Sequence, residues 1–391
     1  MRHRSSHHLT RLLTAAIVAW AGLADAASLA EQDARVRGAI EEVMQAHGIP
    51  GMAVALTIAG KQRFYELGVA SQQTGEAVDR ETLFELGSVS KTLTATLTTY
   101  AQATGKLSLA DSPGRYVPEL AGSALDQVSL INLATHTAGG FPLQLPDTVR
   151  DESQLIAYFN EWTPRYAPGT QRTYANPSIG LLGRVAARSL DLPYAAALEH
   201  ELLPRLGMTR TYLKVPAQEA THYAQGYDKA GKAVRLNPAM LADEAYGVKS
   251  GTSDLLRFVE AHLGLVDMEG AVAQAITATR IGYYQTGSMT QDLVWEQYPY
   301  PPSLQQLQAG NSSQMVLDTH PVKAIVPPLP PQSDVWINKT GSTNGFGAYL
   351  AFVPARQQGI VILANRYYPN EARVALAYRI LSVIEEDQAH D

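Results

Sequence analysis

The sequence predicts an α/β (α+β) fold in which an antiparallel sheet is flanked by the terminal helices and a mostly helical lobe completes the molecule. Three observations lead to this prediction. Patterns typical of a helix and a β-hairpin lie near the start of the chain, and patterns typical of three strands and a helix lie at its end. The residues between them have mostly helical patterns. We expect a catalytic cleft where the two lobes meet.

The first half of the predicted sheet follows a helix. Residues 29–47 place apolar side chains at helical spacing, and Pro50-Gly51 ends that pattern. The runs Met52 to Ile58 and Arg63 to Val69 are typical of strands, joined by the turn Ala59-Gly60-Lys61. A helix followed by a hairpin is therefore expected at this end of the chain.

The middle and the end of the chain differ in predicted secondary structure. From about Thr92 to Val266, Pro and Gly separate mostly helical pieces. The runs Val335 to Thr340, Phe346 to Val353 and Gly359 to Ala364 predict a three-stranded meander, and Ala372 to Glu386 predicts the last helix. The Pro-rich stretches near residues 298–302 and 327–331 are expected to be loops or crossovers.

The N-terminus predicts export. Arg2, Arg4 and Arg11 precede an apolar run that ends in Ala24-Asp25-Ala26, so we expect residues 1–26 to be a signal peptide cleaved after Ala26. The apolar run is too short to anchor the chain in a bilayer. We expect residues 27–391 to form a single catalytic unit in the periplasm, with the sheet lobe built from roughly 27–90 and 320–391.

Composition limits the partners. The formal net charge is −6, and the first 26 residues carry three arginines against one aspartate, so the mature chain carries −8. This argues against nucleic acid or an anionic membrane surface as the main partner. The chain has no cysteine, which excludes a disulfide framework, a thiol nucleophile and a thiolate metal site. We expect a monomer that binds a small molecule.

The segment from Ser88 to Lys91 contains the first candidate catalytic residues. In Ser88-Val89-Ser90-Lys91, a helix that starts near Ser88 places Ser88 and Lys91 on one face, and free backbone N–H groups at the helix start favour negative charge. A lysine whose charge is destabilised can help to remove a serine proton. Alone, the pattern is more typical of an N-cap serine with a solvated lysine.

Two further motifs add to it. In Tyr174-Ala175-Asn176, the phenol can act as a general acid or base if cationic neighbours lower its pKa, and the amide can bind a lysine and a substrate carbonyl. Lys339-Thr340-Gly341-Ser342 ends a predicted strand, where Lys339 and Thr340 could bind a carboxylate and Gly341 allows close approach of a substrate backbone. Each motif alone is also compatible with an ordinary loop or strand end.

Taken together, the three motifs resemble those of the class C (AmpC-type) serine β-lactamases in order and rough spacing. The surrounding sequence is also similar to that family, from about Ile49 to Leu381. This similarity includes Thr135-His136-Thr137-Ala138-Gly139-Gly140 and Glu244-Ala245-Tyr246-Gly247-Val248-Lys249. The resemblance implies the two-lobed serine β-lactamase and transpeptidase fold, hydrolysis of β-lactams through a serine acyl-enzyme, and no cofactor.

The resemblance also implies roles for individual residues. Ser88 matches the nucleophile, and Lys91 and Tyr174 match its proton-transfer partners, with the principal base left open. The backbone N–H groups of Ser88 and Ser342 match the oxyanion hole. The remaining matches are Gln144 and Asn176 for the substrate amide side chain, Tyr246 for the acyl pocket, and Lys339, Thr340 and Asn370 for the carboxylate end, with Gly341 in the substrate strand. Asn370 could also cap the last helix, and Arg373 could bind the carboxylate or brace the site.

Alternatives and departures stay open at this point. A metal-dependent hydrolase needs a ligand cluster, but the mature histidines are scattered and His136 is read as a structural loop residue. A D-alanyl-D-alanine carboxypeptidase or a serine esterase of the same fold is the nearer alternative, and a binding module without chemistry is the third. Asn338 and Asn344 depart from the family pattern beside the substrate strand, and residues 303–319 match it poorly.

Overall fold

The computed structural model describes residues 29–388, so the predicted signal peptide at residues 1–26 lies outside the described residues. The first described element is helix α1 at residues 29–47. Among the described residues, no helix combines the length and apolarity needed to cross a bilayer.

The described residues contain a large antiparallel sheet of nine strands in the order β12-β8-β9-β10-β13-β14-β15-β1-β2. Short two-stranded ribbons pair β3 with β7, β4 with β11 and β5 with β6. The strands are β1 Gly51–Ile58, β2 Lys61–Gly68, β3 Phe84–Glu85, β4 Gln171–Thr173, β5 Gly226–Tyr227, β6 Ala233–Val234, β7 Lys249–Ser250, β8 Gly282–Thr286, β9 Met289–Gln291, β10 Glu296–Pro299, β11 Thr319–Pro321, β12 Lys323–Leu329, β13 Val335–Ser342, β14 Gly347–Val353 and β15 Gln358–Ala364.

The helices follow the same chain order. After α1 come α2 Ser90–Ala103, α3 Leu130–Ala134, α4 Glu152–Glu161, α5 Asn176–Ser189, α6 Tyr194–Ala196, α7 Leu203–Leu206, α8 Ala242–Ala245, α9 Thr252–Leu263, α10 Gly270–Ala278, α11 Leu304–Gly310, α12 Ser313–Leu317 and α13 Asn370–Gln388. A π-helical segment, Ala197–Leu202, joins α6 to α7.

The central strands are buried on both faces, which explains their continuous apolar runs. Along β15, Ile360 and Ile362 pack with residues of α1 and α13, whereas Val361 and Leu363 pack in the other core, with α9 and the helical lobe. Successive strand side chains point to opposite faces, so each strand contributes to both cores. The predicted sheet between terminal helices is confirmed, as are the β1–β2 hairpin and the β13–β15 meander.

The sheet is wider than the sequence indicated. Strands β8, β9 and β10 span residues 282–299, before the boundary near residue 320 that the sequence suggested for the sheet lobe. They are short and polar, and they are stabilised by pairing with one another and, through β10, with β13, which no local sequence pattern predicts. The second Pro-rich stretch is also part of the sheet, because β12 includes Pro327 and Pro328 at the sheet edge, where a missing N–H is tolerated.

Helix α2 is the central element of the helical lobe. Its first twelve residues are buried, and it packs against α5, α8 and α10. Several of its residues are threonines whose hydroxyls donate to carbonyls one turn earlier, as Thr96 does to Thr92 O and Thr98 to Thr94 O, both at 2.8 Å. These bonds satisfy hydroxyls that burial would otherwise leave unpaired. A buried helix therefore fixes the turn that carries Ser88.

Candidate active site

An open cleft of about 1110 Å³ lies between the end of β13 and the helical lobe. All of the site residues predicted from the sequence except Lys91 line this cleft, and Lys91 lies directly behind Ser88. The predicted residues that line it are Ser88, Gln144, Tyr174, Asn176, Tyr246, Lys339, Thr340, Gly341, Ser342 and Asn370. The fold therefore brings the separate sequence motifs to one place.

Ser88 sits in a 3₁₀ turn, Gly87–Val89, that leads directly into α2. Buried Lys91 follows one turn later, and its Nζ donates to Ser88 Oγ at 2.9 Å and to Ala245 O at 2.7 Å. Burial lowers the pKa of the Lys91 ammonium to about 8, although the Tyr174 phenolate would favour the charged form. The lysine is thus held against the serine hydroxyl and is close to neutral at moderately alkaline pH.

Tyr174 stands on the other side of Ser88, between β4 and the start of α5. The centre of its ring lies 5.3 Å from Lys91 Nζ and 5.2 Å from Lys339 Nζ. Burial raises the pKa of the phenol, but the two lysine charges and the nearby Ser88 outweigh burial and lower the pKa to about 8. Within the described residues Tyr174 Oη makes no hydrogen bond of standard geometry, and the charges of Lys339 and Lys91 are the largest causes that lower its pKa.

The end of β13 touches the serine turn. A Cβ on Gly341 would stand only 2.0 Å from Leu86 O and 2.8 Å from Val89 N, so a side chain does not fit there. Gly87, with φ of +53°, makes the same close approach to Ser342 from the other side. Only glycine allows the two backbones to come this near, which places the Ser88 and Ser342 peptide groups side by side.

Arg373 braces this contact rather than facing the cleft. Its fully buried guanidinium donates to Gly341 O, to Ser342 Oγ at 2.8 Å and to Tyr368 O. This geometry favours a structural role for Arg373 over binding of a carboxylate. The brace holds the last two residues of β13 in position beside the serine turn.

The remaining predicted residues surround the opening. Gln144 is exposed, Tyr246 is half-buried, and Asn176 is buried with an Oδ1 that has no partner within residues 29–388. Asn370 begins α13, and its Nδ2 donates to Asn311 O at 3.1 Å, so this contact connects α13 to the end of α11. Asn176 Oδ1 is therefore an unsatisfied acceptor of a residue that lines the cleft.

Sequence reasoning missed a buried ion pair under the cleft. Arg172 Nη2 donates to Glu296 Oε1 at 3.0 Å, with both side chains almost completely buried. Arg172 Cζ lies 5.5 Å from the Tyr174 ring centre. The sequence feature that could have identified Arg172 is its i, i+2 spacing from Tyr174 at a short strand, because this spacing places both side chains on one face. The carboxylate partner is 124 residues away in sequence and gave no signal.

The two departures from the family pattern lie in different environments. Asn338 is fully buried, and its Oδ1 accepts from Asn311 Nδ2 at 3.0 Å and from Tyr349 Oη at 2.8 Å. Asn344 is exposed at the cleft wall. Residues of α11 and α12, including Met315 and Leu317, form part of the same wall. Of the two asparagines, only Asn344 lies where it could contact a ligand.

The described residues contain no group of three or more His, Asp or Glu side chains arranged to hold a metal ion. They do contain a serine hydroxyl bonded to a buried lysine, beside a tyrosine whose pKa is lowered. This is the chemistry of a serine hydrolase that transfers an acyl group.

Comparisons with known proteins agree with this class. The family model described as Beta-lactamase matches residues 36–385. A beta-lactamase of Lysobacter lactamgenus is 52% identical over 349 residues, covering 89% of this chain and 91% of that protein. A crystal structure of a beta-lactamase/D-alanine carboxypeptidase from Pseudomonas syringae is 54% identical, with a TM-score of 0.89 over 90% of this chain and 99% of the other.

A further crystal structure, of a class C beta-lactamase in complex with cefoxitin, is 50% identical, with a TM-score of 0.88 over 90% of this chain and 99% of that chain. The chain therefore belongs to the β-lactamase family, in its class C (AmpC-type) serine branch. The family resemblance and the fold expected from the sequence are both confirmed.

Proposed function

We propose that the chain hydrolyses β-lactams through an acyl-enzyme formed on Ser88. The observation that carries the proposal is the position of Ser88 Oγ at the open cleft, 2.9 Å from Nζ of a buried lysine and beside Tyr174. The similarity to a class C enzyme solved with cefoxitin supports a β-lactam as the small-molecule substrate.

In the first step, Ser88 Oγ attacks the carbonyl carbon of the β-lactam ring while its proton passes to Lys91 or Tyr174. Both groups have pKa values lowered to about 8, which fits them to accept a proton near neutral pH. The ring C–N bond then breaks, the nitrogen takes up the proton, and an ester to Ser88 remains. The backbone N–H groups of Ser88 and Ser342 are the donors proposed for the oxyanion.

In the second step, water attacks the ester carbonyl. We assign activation of this water to Tyr174, alone or with the amine of the opened substrate. The ester C–O bond breaks and the proton passes to Ser88 Oγ, which restores the enzyme. No other described phenol is placed between two lysines in the cleft, which supports this assignment.

The remaining cleft residues are proposed to hold the substrate. Lys339 and Thr340 at the end of β13, together with Asn370, are assigned to the carboxylate. Gln144 and Asn176 are assigned to the amide side chain, and Tyr246 to the wall of the acyl pocket. The unpartnered Oδ1 of Asn176 supports this assignment, because a buried acceptor gains from a substrate N–H.

A D-alanyl-D-alanine carboxypeptidase activity is the second candidate, favoured by the Pseudomonas syringae relative whose description includes both activities. The test is to give the purified mature protein a chromogenic cephalosporin, a D-Ala-D-Ala peptide and a simple ester. We expect rapid, complete turnover of the cephalosporin. Peptide hydrolysis with only stoichiometric, slowly reversed reaction with the cephalosporin would favour the second candidate.

We also propose that the protein works as a periplasmic monomer after removal of residues 1–26. The basic and apolar N-terminal pattern supports export. N-terminal sequencing of the protein from a periplasmic fraction is expected to start at Ala27, and a light-scattering mass is expected to match one chain. A mature protein that keeps residues 12–24 would contradict the proposal.

A further inference from the structure

The sequence predicts that His136 is a structural loop residue, but its side chain and backbone contact Tyr174 and both residues next to it. The imidazole is buried, and its ring centre lies 4.2 Å from that of Tyr174, with 37° between the planes. It does not line the cleft, so any effect on the reaction must pass through the tyrosine.

Two hydrogen bonds connect His136 to the residues on either side of Tyr174. Thr173 N donates to His136 O at 2.9 Å, and Ala175 N donates to His136 Nδ1 at 3.3 Å. The backbone before the tyrosine, the backbone after it and the ring itself are therefore all in contact with one residue. Of these contacts, the bond from Thr173 uses the main-chain carbonyl of His136, whereas the bond from Ala175 and the ring stacking use the imidazole.

The loop around His136 is held in an uncommon conformation. His136 has φ of +60°, which is sparsely populated by residues other than glycine. Thr137 N donates to Asn132 O at 2.8 Å, and Val294 N, from the turn between β9 and β10, donates to Ala134 O at 3.0 Å. These bonds hold the backbone where the imidazole reaches Tyr174, as expected for strain retained at a functional site.

The hydrogen bond from Ala175 requires an unprotonated Nδ1, so the ring must be neutral with its proton on Nε2. Burial, and then the charges of Arg172, Lys91 and Lys339, hold the pKa of His136 well below its usual range. The other ionisable groups acting on this site are Tyr174 itself and Glu296. His136 can therefore support the phenol without adding a further positive charge beside it.

We propose that His136 is a positioning residue for Tyr174, which it holds beside Lys91 and Lys339 by stacking and by hydrogen bonds to both neighbouring peptide groups. The inference rests on the proposed role of Tyr174 in catalysis. If the tyrosine moves away from the two lysines, its phenolate is less stabilised and the base is less well aligned with Ser88.

The test uses His136→Asn, because asparagine tolerates a positive φ but lacks the ring. We expect kcat/KM for a cephalosporin to fall by about 10- to 100-fold, as a misplaced catalytic group can produce. The acid limb of the pH profile is expected to move to higher pH. The His136→Phe variant keeps a ring to stack on Tyr174 but loses the acceptor for Ala175 N and a side chain suited to the positive φ, so it is expected to recover only part of the activity.

The control is His262→Leu. His262 is also buried, among Phe258, Trp295 and Phe352, but it does not contact Tyr174 or the cleft. Circular dichroism and thermal unfolding are recorded for every variant. The His262 variant is expected to be less thermally stable but to have an unchanged pH profile of kcat/KM. This control therefore distinguishes a packing defect from a positioning defect.

A double-mutant cycle with Tyr174→Phe decides the inference. If His136 acts through Tyr174, His136→Asn has little further effect once the phenol is removed. An equal fall in both backgrounds, or an unchanged acid limb in the single variant, would overturn the positioning role alone. Wild-type turnover by Tyr174→Phe would instead overturn the catalytic role of the tyrosine.

Discussion

Two buried tyrosines in this molecule differ in acidity because their surroundings differ in charge. Tyr349, in the interior of the sheet, donates to Asn338 Oδ1 at 2.8 Å and accepts from Trp336 Nε1 at 3.2 Å. Burial raises the pKa of Tyr349, whereas the lysines around Tyr174 lower the pKa of that phenol to about 8. Burial alone keeps a phenol protonated, so the lowered pKa of Tyr174 depends mainly on the charges of Lys339 and Lys91.

The largest effect expected from this comparison is that of removing the Tyr174 hydroxyl. Tyr174→Phe is expected to slow cephalosporin turnover by about 10²- to 10⁴-fold, the usual range for loss of a general acid–base group. Tyr349→Phe removes an equally buried hydroxyl from the sheet and is expected to lower the thermal midpoint, because an unpaired buried partner costs about 1–3 kcal/mol of stability. Its kcat/KM is expected to stay within a few-fold of the parent value. Equal losses of turnover would show that the two tyrosines do not differ in function.

Removal of Lys339 tests whether the lysine charges that distinguish Tyr174 from Tyr349 contribute to activity. A desolvated, charge-assisted hydrogen bond contributes about 1.5–3 kcal/mol, so Lys339→Ala is expected to lower kcat/KM by about ten- to more than a hundredfold. Lys323→Ala, on the exposed edge strand β12, is the matched control and is expected to have no measurable effect. If the two variants have the same steady-state rates, Lys339 neither binds the carboxylate nor supports Tyr174.

The contact between β13 and the serine turn is tested with glycine substitutions. Gly341→Ala introduces a Cβ 2.0 Å from Leu86 O, and overpacking of this kind is expected to destabilise the protein by about 1–3 kcal/mol and to reduce activity. Gly38→Ala, in α1, meets no atom within 4 Å and is expected to stabilise it by about 0.5–1 kcal/mol. Urea unfolding measures both, and a Gly341 variant as stable and active as the parent would contradict the close approach.

The smallest expected effect is a displacement of the pH profile. In the proposed mechanism the deprotonated form of Tyr174 or Lys91 accepts the serine proton, and both groups have a pKa lowered to about 8, so kcat/KM is expected to rise with pH through that region. Lys339 lowers the pKa of Tyr174, so Lys339→Ala is expected to move the acid limb to higher pH. An unmoved limb in the variant would mean that another group controls the profile.

The sequence predicted the parts of the fold and site that have a local signal. The hairpin, the meander and the i, i+3 spacing of Ser88 and Lys91 all depend on short-range periodicity, and the structure contains each of them. The short polar strands β8–β10 gave no such signal, because their stability comes from pairing beside β13.

The same limit applies to the site. The Arg172–Glu296 pair joins residues far apart in sequence. The support of Tyr174 by His136 depends on a positive φ and on contacts across 38 residues, which are visible only in three dimensions. Motifs identified the groups proposed for the chemistry, whereas the residues that set their positions and charges required the folded structure.

The most direct test of the central claim is intact-mass spectrometry, with peptide mapping, after mixing the protein with a slowly hydrolysed β-lactam. We predict one covalent adduct with the mass of the intact β-lactam, located on Ser88 and absent from Ser88→Ala, which is also expected to lose hydrolysis. The Tyr174→Phe variant is expected to accumulate the same adduct for longer if the tyrosine activates water. An adduct on another residue, or wild-type hydrolysis by Ser88→Ala, would contradict the account.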